Sequence, residues 1–133
     1  MPESLTNLEK LRRYLKSIEG GDFSYIGELF SPDAIVEQFP NRIYPNGLHS
    51  GFSRMAEAFE KGRKLLSRQS YEIKNYVVNG DKVSLEVLWT GVLAISFGSL
   101  SAGSEMRAHS AMFFEFNNGK VVNQRNYDCF EPW

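Results

Sequence analysis

The sequence predicts an α+β fold, with three helices in the N-terminal half packed on a strongly curved, mostly antiparallel sheet. Two patterns carry this prediction. Helix caps and helical apolar spacing dominate up to about residue 66, and long strand-like segments joined by Asn-containing turns follow. The 133 residues contain no repeat, linker or low-complexity segment. Because that length suits one core, we expect a single domain over residues 1–133.

The first helix is predicted by a capping box. Thr6 and Glu9 have the spacing at which each side chain accepts a hydrogen bond from the other residue's backbone N–H. Apolar side chains then recur every three or four residues as far as Ile18. Gly20 and Gly21 are expected to end the helix, since glycine readily adopts the left-handed conformation past a helix C-terminus.

Two further helices are predicted, and the first of them is short. It covers residues 22–30, with Asp22 as its cap, and the Ser-Pro-Asp segment at 31–33 ends it. The other covers residues 53–66, where apolar side chains supply one face. The connection between them includes residues 40–51, which carry two prolines and two glycines, and such a loop often borders a binding site.

Five strands are predicted from apolar and β-branched segments that are separated by turn residues. The segments Asn79-Gly80-Asp81 and Asn117-Asn118-Gly119 are hairpin turns, because Asn and Gly accept positive φ. A Gly/Ser loop at residues 98–104 separates the two longest strands. The predicted strands cover residues 34–39, 71–78, 82–97, 105–116 and 120–130.

Composition argues against several classes of protein. With 15 basic and 16 acidic residues the net charge is −1, whereas a nucleic-acid-binding protein needs a basic face. No apolar run is long enough to span a bilayer and no signal-peptide core is visible, so we expect a cytoplasmic protein without membrane contact. One cysteine, Cys129, and two histidines supply neither a disulfide framework nor a cysteine- or histidine-rich metal site. We therefore expect no metal, and since the chain has neither a Rossmann fingerprint nor a phosphate-binding loop with its lysine, we also expect no cofactor.

Six segments spread along the chain resemble the nuclear-transport-factor-2-like superfamily, which includes SnoaL-like polyketide cyclases, ketosteroid isomerase and limonene epoxide hydrolase. They are LRRY at 11–14, EGGD at 19–22, LFSPDA at 29–34, VEQFP at 36–40, FEFNNGKVV at 114–122 and RNYD at 125–128. The resemblance implies a cone-shaped fold with an internal pocket and a homodimer formed through the outer face of the sheet. It leaves the activity open, because this fold hosts enzymes, binding proteins and carriers alike.

The resemblance implies positions for the catalytic groups of ketosteroid isomerase-like enzymes. Tyr14 matches their tyrosine oxyanion donor, Gln38 stands where they have an aspartate base, and Met112 where they have an aspartic acid donor. A carboxamide cannot accept a substrate proton at neutral pH. We therefore do not expect steroid isomerisation by that mechanism.

The other two enzyme types are matched no better. SnoaL-like cyclases have an acid at the position of Asn126, and limonene epoxide hydrolase-like enzymes have an Arg–Asp pair at the positions of Val87 and Trp89. Gln38 and Asn126 keep polar positions in amide form, which predicts that they orient a ligand without abstracting a proton. Trp89 is expected either in the pocket floor or in the core.

Asp128 is the leading catalytic candidate because of strand alternation. If Asn126 points into the cone then Asp128 does too, since residues two apart on a strand share a face. Burial beside aromatic side chains would raise the pKa of Asp128 toward the range of a general base. The alternative is a position at the rim, where Asp128 bonds to a backbone amide or an arginine.

Two histidines are further candidates. His109 could act as an acid or base near neutral pH, although the parity set by Met112 places it on the outer face of the sheet unless a β-bulge intervenes. His49 lies in the connection at 40–51. It would contact a ligand if that loop closes over the pocket, and would otherwise be solvated.

Aromatic residues are abundant, with ten Phe, six Tyr and two Trp. Placed on the cone, five of these aromatic residues line one cavity together with Met112, which predicts a small apolar or aromatic ligand. The predicted lining residues are Tyr14, Phe39, Trp89, Phe114 and Phe116, and the pair predicted to face outward is Phe113 and Tyr127.

The leading functional hypothesis is a SnoaL-like pocket protein that handles such a ligand and, if it is an enzyme, transfers protons without a cofactor. Asp128 or His109 would be the base, and Tyr14, Gln38 and Asn126 would donate hydrogen bonds to a developing oxyanion. The reaction would be isomerisation, cyclisation, dehydration or epoxide opening. Two alternatives stay open: a noncatalytic binding module, since amides replace acids, and a dimeric interaction subunit.

Overall fold

The computed structural model describes residues 5–133, which contain three helices and six strands. The helices are α1 (Asn7–Gly20), α2 (Ser24–Leu29) and α3 (Phe52–Leu65). The strands are β1 (Phe30–Gln38), β2 (Leu48–Gly51), β3 (Leu66–Asn79), β4 (Lys82–Leu93), β5 (Glu105–Asn117) and β6 (Lys120–Phe130). The predicted α+β class is confirmed.

The strands form one curved open sheet in the order β2-β1-β6-β5-β4-β3. Only β1 and β6 pair in parallel within the described chain, and the other four pairs are antiparallel. Helix α1 contacts β3, α2 contacts β1 and β6, and α3 contacts β1, β2 and β3. The helices therefore pack against the face of the sheet that carries the core.

Helix α1 begins and ends as its sequence predicts. The Thr6 hydroxyl accepts from the Glu9 N–H at 3.1 Å, and the Glu9 carboxylate accepts from the Thr6 N–H at 3.2 Å. Gly21 follows the helix with φ 71°, in the left-handed region. Helices α1 and α3 have 14 residues each, and no helix within residues 5–133 is long and apolar enough to cross a membrane.

The hydrophobic core lies between α1, α2 and one half of the sheet. Phe30 and Phe114 are almost fully buried, and the Tyr14 ring packs on both at centroid distances of 5.3 and 6.0 Å. Beyond this core, alternate side chains of β4, β5 and β6 still point to the same inward face of the sheet. There the face borders open space, which positions the site described below.

The region from residue 30 to residue 51 contains more strand than the sequence predicts. β1 begins at Phe30 rather than at Ala34. Pro32 does not prevent this, because the β1–β6 ladder is interrupted between Phe30 and Ile35 and needs no hydrogen bond from the Pro32 backbone nitrogen. The connection at 40–51 ends in the short strand β2, which pairs with β1. The connection is therefore shorter than predicted, because its last four residues belong to β2.

The borders of β3 and β4 also differ from prediction. β3 begins at Leu66, directly where α3 ends, and β4 stops at Leu93. Beyond that point the chain turns away: the Leu93 N–H donates to the Ser104 carbonyl at 2.9 Å, and the Ala94 N–H donates to the Leu65 carbonyl at 2.7 Å. These contacts join segments distant in sequence, so local strand propensity did not reveal them.

Candidate functional site

An open cavity of about 510 Å³ lies between α3 and the inward face of the sheet, and we call it the outer cavity. Its walls are mostly apolar, with side chains such as Phe97, Met106 and Phe130. Three charged side chains also line it, namely Lys61 and Lys64 from α3 and Asp128 from β6. This volume and lining are those of a small-molecule site.

A second cavity of about 180 Å³, the inner cavity, lies toward the core and includes Tyr14 in its wall. The two cavities adjoin, because seven residues line both of them. We call these seven the junction: Gln38, Ala58, Gly62, Gln69, Tyr71, Met112 and Asn126. Its polar members are three amides and one phenol, so the place where the cavities meet is polar but uncharged.

Asp128 lines the outer cavity on the same face of β6 as Asn126, as strand alternation predicts. It is half-buried, and its register partner on β5 is Ser110. Burial raises the pKa of the Asp128 carboxyl, and hydrogen bonding by the Ser110 hydroxyl opposes the rise. No arginine or lysine within residues 5–133 lies within 4.0 Å of the Asp128 carboxylate, so an ion pair does not hold this group charged.

Tyr71 lines both cavities, a position that the sequence did not predict. It lies at the junction opposite Trp89, and its hydroxyl makes no hydrogen bond to any residue in the described chain. Burial raises the pKa of this phenol, and the nearby Tyr14, Asp128 and Glu19 raise it further. Tyr71 therefore keeps its proton at neutral pH and can donate it in a hydrogen bond.

A β-bulge explains why Tyr71 was missed. The hairpin turn sets Asn79 opposite Lys82, and regular counting back along β3 would put Tyr71 opposite Thr90, on the outer face. The register shifts by one residue between Ile73 and Asn75. Such a shift turns the rest of the strand over, so Tyr71 joins the inward face of Trp89.

Buried polar side chains form a hydrogen-bonded chain from the core to the junction. The Tyr14 hydroxyl donates to Gln124 Oε1 at 3.1 Å, and Gln124 Nε2 donates to Asn126 Oδ1 at 3.0 Å. With its oxygen held in this way, Asn126 presents its NH₂ group as a donor. Burial raises the pKa of Tyr14, so this residue stays protonated and orients the amides. Gln38 is the register neighbour of Asn126 on β1.

Trp89 lies in the wall of the outer cavity and is fixed by two neighbours. Its indole N–H donates to Gln69 Oε1 at 2.9 Å. Gly91 leaves room for the ring, since a Cβ at this position would lie 2.5 Å from two ring atoms of Trp89. The ring is therefore an immobile part of the wall, on the same face as Leu85 and Val87.

His109 is not part of the cavity, which corrects its place among the catalytic candidates. Its side chain is 64% exposed, and Nε2 lies 2.9 Å from Glu131 Oε2 on the outer face of the sheet. The β4–β5 and β5–β6 registers run without a shift from Ala108 to Met112. Because no β-bulge lies between the two residues, His109 faces outward, as strand alternation counted from the inward-facing Met112 predicts.

His49 and Phe114 are likewise misplaced in the predicted site. His49 lies on β2, exposed and paired with Glu37, while its neighbours Leu48 and Ser50 line the inner cavity. Phe114 is 1% exposed and lines neither cavity, because Tyr14 covers its ring. Phe114 is thus a core residue, whereas Met112, one step along the strand face, lines both cavities.

Aromatic side chains fall into a core set, a cavity set and an outer set. Phe116 belongs to the core, against prediction. Phe39 lies outside the cavities and stacks on Tyr127 at 4.4 Å, also against prediction. Phe113 and Tyr127 are 36% and 40% exposed, which confirms that they face outward.

Comparison with known proteins identifies the family of this chain. The sequence model of the SnoaL-like domain family matches residues 11–124. The chain belongs to the SnoaL-like domain family. The resemblance inferred from the short segments is confirmed. No curated protein matches the chain.

Solved structures share the fold of this SnoaL-like domain at low sequence identity. AclR from Streptomyces galilaeus, a candidate hydroxylase, is 21% identical with a TM-score of 0.79, and the match covers 95% of this chain and 80% of that chain. IdmH from Streptomyces antibioticus, a candidate polyketide cyclase, is 16% identical with a TM-score of 0.80 over 93% and 92%. A protein with a ketosteroid isomerase-like fold from Catenulispora acidiphila is 15% identical with a TM-score of 0.75 over 93% and 88%.

Proposed function

We propose that this SnoaL-like domain binds a small, largely apolar molecule in its adjoining cavities and transfers a proton on it without a cofactor. The observation that carries the proposal is the Asp128 carboxyl, which lies inside an apolar-walled cavity with its pKa raised by burial. A carboxylate whose pKa is closer to neutral is a better general base. The fold similarity to a candidate polyketide cyclase is consistent with this class of chemistry.

The neighbouring donors complete the proposed reaction. Asp128 would take a proton from the carbon next to a carbonyl group, and the negative charge would pass to the carbonyl oxygen. The Tyr71 hydroxyl and the Asn126 amide, both lining the outer cavity, would donate hydrogen bonds to that oxygen. Protonated Asp128 would then return the proton to another atom, giving isomerisation, or the enolate would close a ring before the proton is returned.

Tyr14 has a different role from the one its family position implies. Its proton is already donated to Gln124, which in turn holds Asn126. In this proposal Tyr14 and Gln124 are positioning residues, and Asn126 contacts the substrate. Gln38, beside Asn126, would add a further amide contact to the ligand.

The test is a screen of lipophilic carbonyl compounds and epoxides by thermal shift, followed by mass analysis of each bound compound. Binding raises the melting temperature whether or not the compound reacts. For a converted compound, Asp128→Asn is expected to lower kcat by about 10²- to 10⁴-fold, the usual contribution of a general base. Asp33→Asn, an exposed change on β1, is the matched control. Full turnover by Asp128→Asn would refute the role of Asp128.

A noncatalytic binding module is the second proposal. Gln38 and Asn126 are register neighbours, and both line the junction as amides at positions where related enzymes have acids. Such amides hold a polar ligand group without removing a proton. Recovery of every bound compound unchanged after long incubation would favour this proposal over catalysis.

A further inference from the structure

Two lysines of α3 face the outer cavity. Lys61 and Lys64 are three residues apart, a spacing that puts side chains on the same side of a helix, and both line the cavity. Arg63 lies between them and is occupied elsewhere, since its guanidinium is 3.2 Å from Glu60 Oε1. The cationic side chains at the cavity edge are therefore this lysine pair, which we call the lysine rim.

The lysine rim differs from the remaining lysines of the chain in having no partner. Every other lysine either lies within 4.0 Å of a carboxylate oxygen or donates to a backbone carbonyl of the described chain. The pairs are Lys10 with the Gly119 carbonyl, Lys16 with Glu19, Lys74 with Glu72, Lys82 with Glu115, and Lys120 with the Glu28 carbonyl. Within residues 5–133, neither Lys61 nor Lys64 makes such a contact. Two neighbouring positive charges with no carboxylate oxygen within 4.0 Å favour an anion.

Asp128 does not supply that counter-charge. It is the one acidic side chain lining the outer cavity in the described chain, yet it makes no ion pair with either lysine. Burial raises the pKa of the Asp128 carboxyl, and the Ser110 hydrogen bond opposes the rise. The lysine rim and the Asp128 carboxyl are therefore separate charged groups in the lining of one cavity, more than 4.0 Å apart.

We infer that the ligand is amphipathic, with an apolar or aromatic body inside the cavities and an anionic group, such as a carboxylate, held by Lys61 and Lys64. The inference rests on the proposed ligand-binding function and adds the substrate class. An anion at the rim would leave the apolar body pointing toward Asp128 and the junction. The lysine rim would therefore select the ligand and also set which end enters first.

Two naphthalene dyes of similar shape test the inference by calorimetric titration. The probes are 8-anilinonaphthalene-1-sulfonate, which carries an anion, and N-phenyl-1-naphthylamine, which does not. Exposed ion pairs are weak individually, so the double variant Lys61→Gln/Lys64→Gln is expected to bind the sulfonate about three- to tenfold more weakly. Its affinity for the neutral dye should change less than about twofold. Added salt should weaken only the sulfonate complex of the parent protein.

The matched control is Lys16→Gln/Lys74→Gln, which removes two exposed lysines that line neither cavity. It should leave both affinities unchanged, and the sulfonate should displace the neutral dye from the parent protein. Equal weakening of both dyes by the rim variant would show an effect on cavity shape and overturn the inference. If the neutral dye binds but the affinity for the sulfonate does not depend on Lys61 and Lys64, the inference is overturned while the ligand-binding function stands. Binding of neither dye would count against the ligand-binding function as well.

Discussion

Asp128 lowers the stability of the fold when it is ionised, because of its surroundings. Its carboxyl is half-buried in an apolar-walled cavity, and burial raises its pKa above the ordinary value for an aspartate. The folded protein therefore holds the proton to higher pH than the unfolded chain does. Ionised Asp128 therefore destabilises the fold, and the proposed role as a general base would explain a carboxyl at this position.

The pH dependence of stability checks this account. Because the pKa is raised in the folded state, the stability linked to Asp128 is complete below its unfolded pKa and is lost as pH rises through its folded pKa. Asp128→Asn removes this loss, so its free energy of unfolding relative to the parent should increase with pH. Urea unfolding from about pH 4 to about pH 8 measures the difference. A difference that stays constant with pH, or that Asp33→Asn reproduces, would contradict the prediction.

For individual residues, the sequence predicted correctly the side-chain orientations that follow from strand alternation. It missed those that depend on packing between distant segments. Asp128 and Asn126 share the cavity face because alternation along a regular strand is local information. Tyr71 was missed because the bulge in β3 turns it inward. Phe114 was misassigned because α1 places Tyr14 over its ring, and a contact between residues so far apart in sequence has no local signal.

Helix α3 is unusual among the three helices because none of its residues is fully buried. Its inner face borders the cavities, and residues such as Met55, Phe59 and Leu65 are in their walls. The apolar face of α3 thus serves both as a cavity wall and as a contact with the core, against which Met55 and Phe59 also pack. Sequence periodicity predicted the helix correctly but did not separate these two uses, since both produce the same amphipathic pattern.

Gly62 provides a test of α3 as a wall of the junction. A Cβ at this position meets no atom within 4 Å, and Gly62 lines both cavities. Gly62→Ala should raise the free energy of unfolding by about 1 kcal/mol through helix propensity, with little effect on dye binding. Gly62→Leu should fill the junction and weaken binding of N-phenyl-1-naphthylamine by about tenfold or more.

Gly27 supplies the control for that pair of variants. It lies exposed in α2, away from both cavities, and a Cβ there also meets no atom within 4 Å. Gly27→Leu should therefore leave dye affinity unchanged. If Gly62→Leu binds the dye as tightly as Gly27→Leu does, α3 does not bound the ligand site.

At the scale of the whole molecule, Phe39, Phe113 and Tyr127 form an aromatic patch on the outer face of the sheet. Phe39 stacks on Tyr127 at 4.4 Å, and Phe113 meets the same ring edge-on at 5.6 Å. An exposed apolar patch of this kind commonly marks a protein interface. We therefore propose that two copies associate through this face, as the family resemblance implies.

Solution mass tests the proposed dimer. The parent protein is expected at twice its 15.2 kDa by light scattering, and Tyr127→Glu, which places a charge in the patch, is expected to shift it to the monomer. Tyr76→Glu is the control, because Tyr76 is 49% exposed on β3 and lies outside the patch. A parent protein that is monomeric at high concentration would refute the association.

The sequence by itself determined the order of the three helices and of five of the six strands, the capped start of α1, the two hairpin turns and the family. All of these depend on residues that are close along the chain, where caps, turns and periodicity act. Only the tertiary structure decided which inward side chains meet a helix and which meet empty space. Contacts between distant segments produce the two cavities, the polar junction and the unpartnered lysine rim. The reason is that a cavity exists only where several elements fail to fill the space between them.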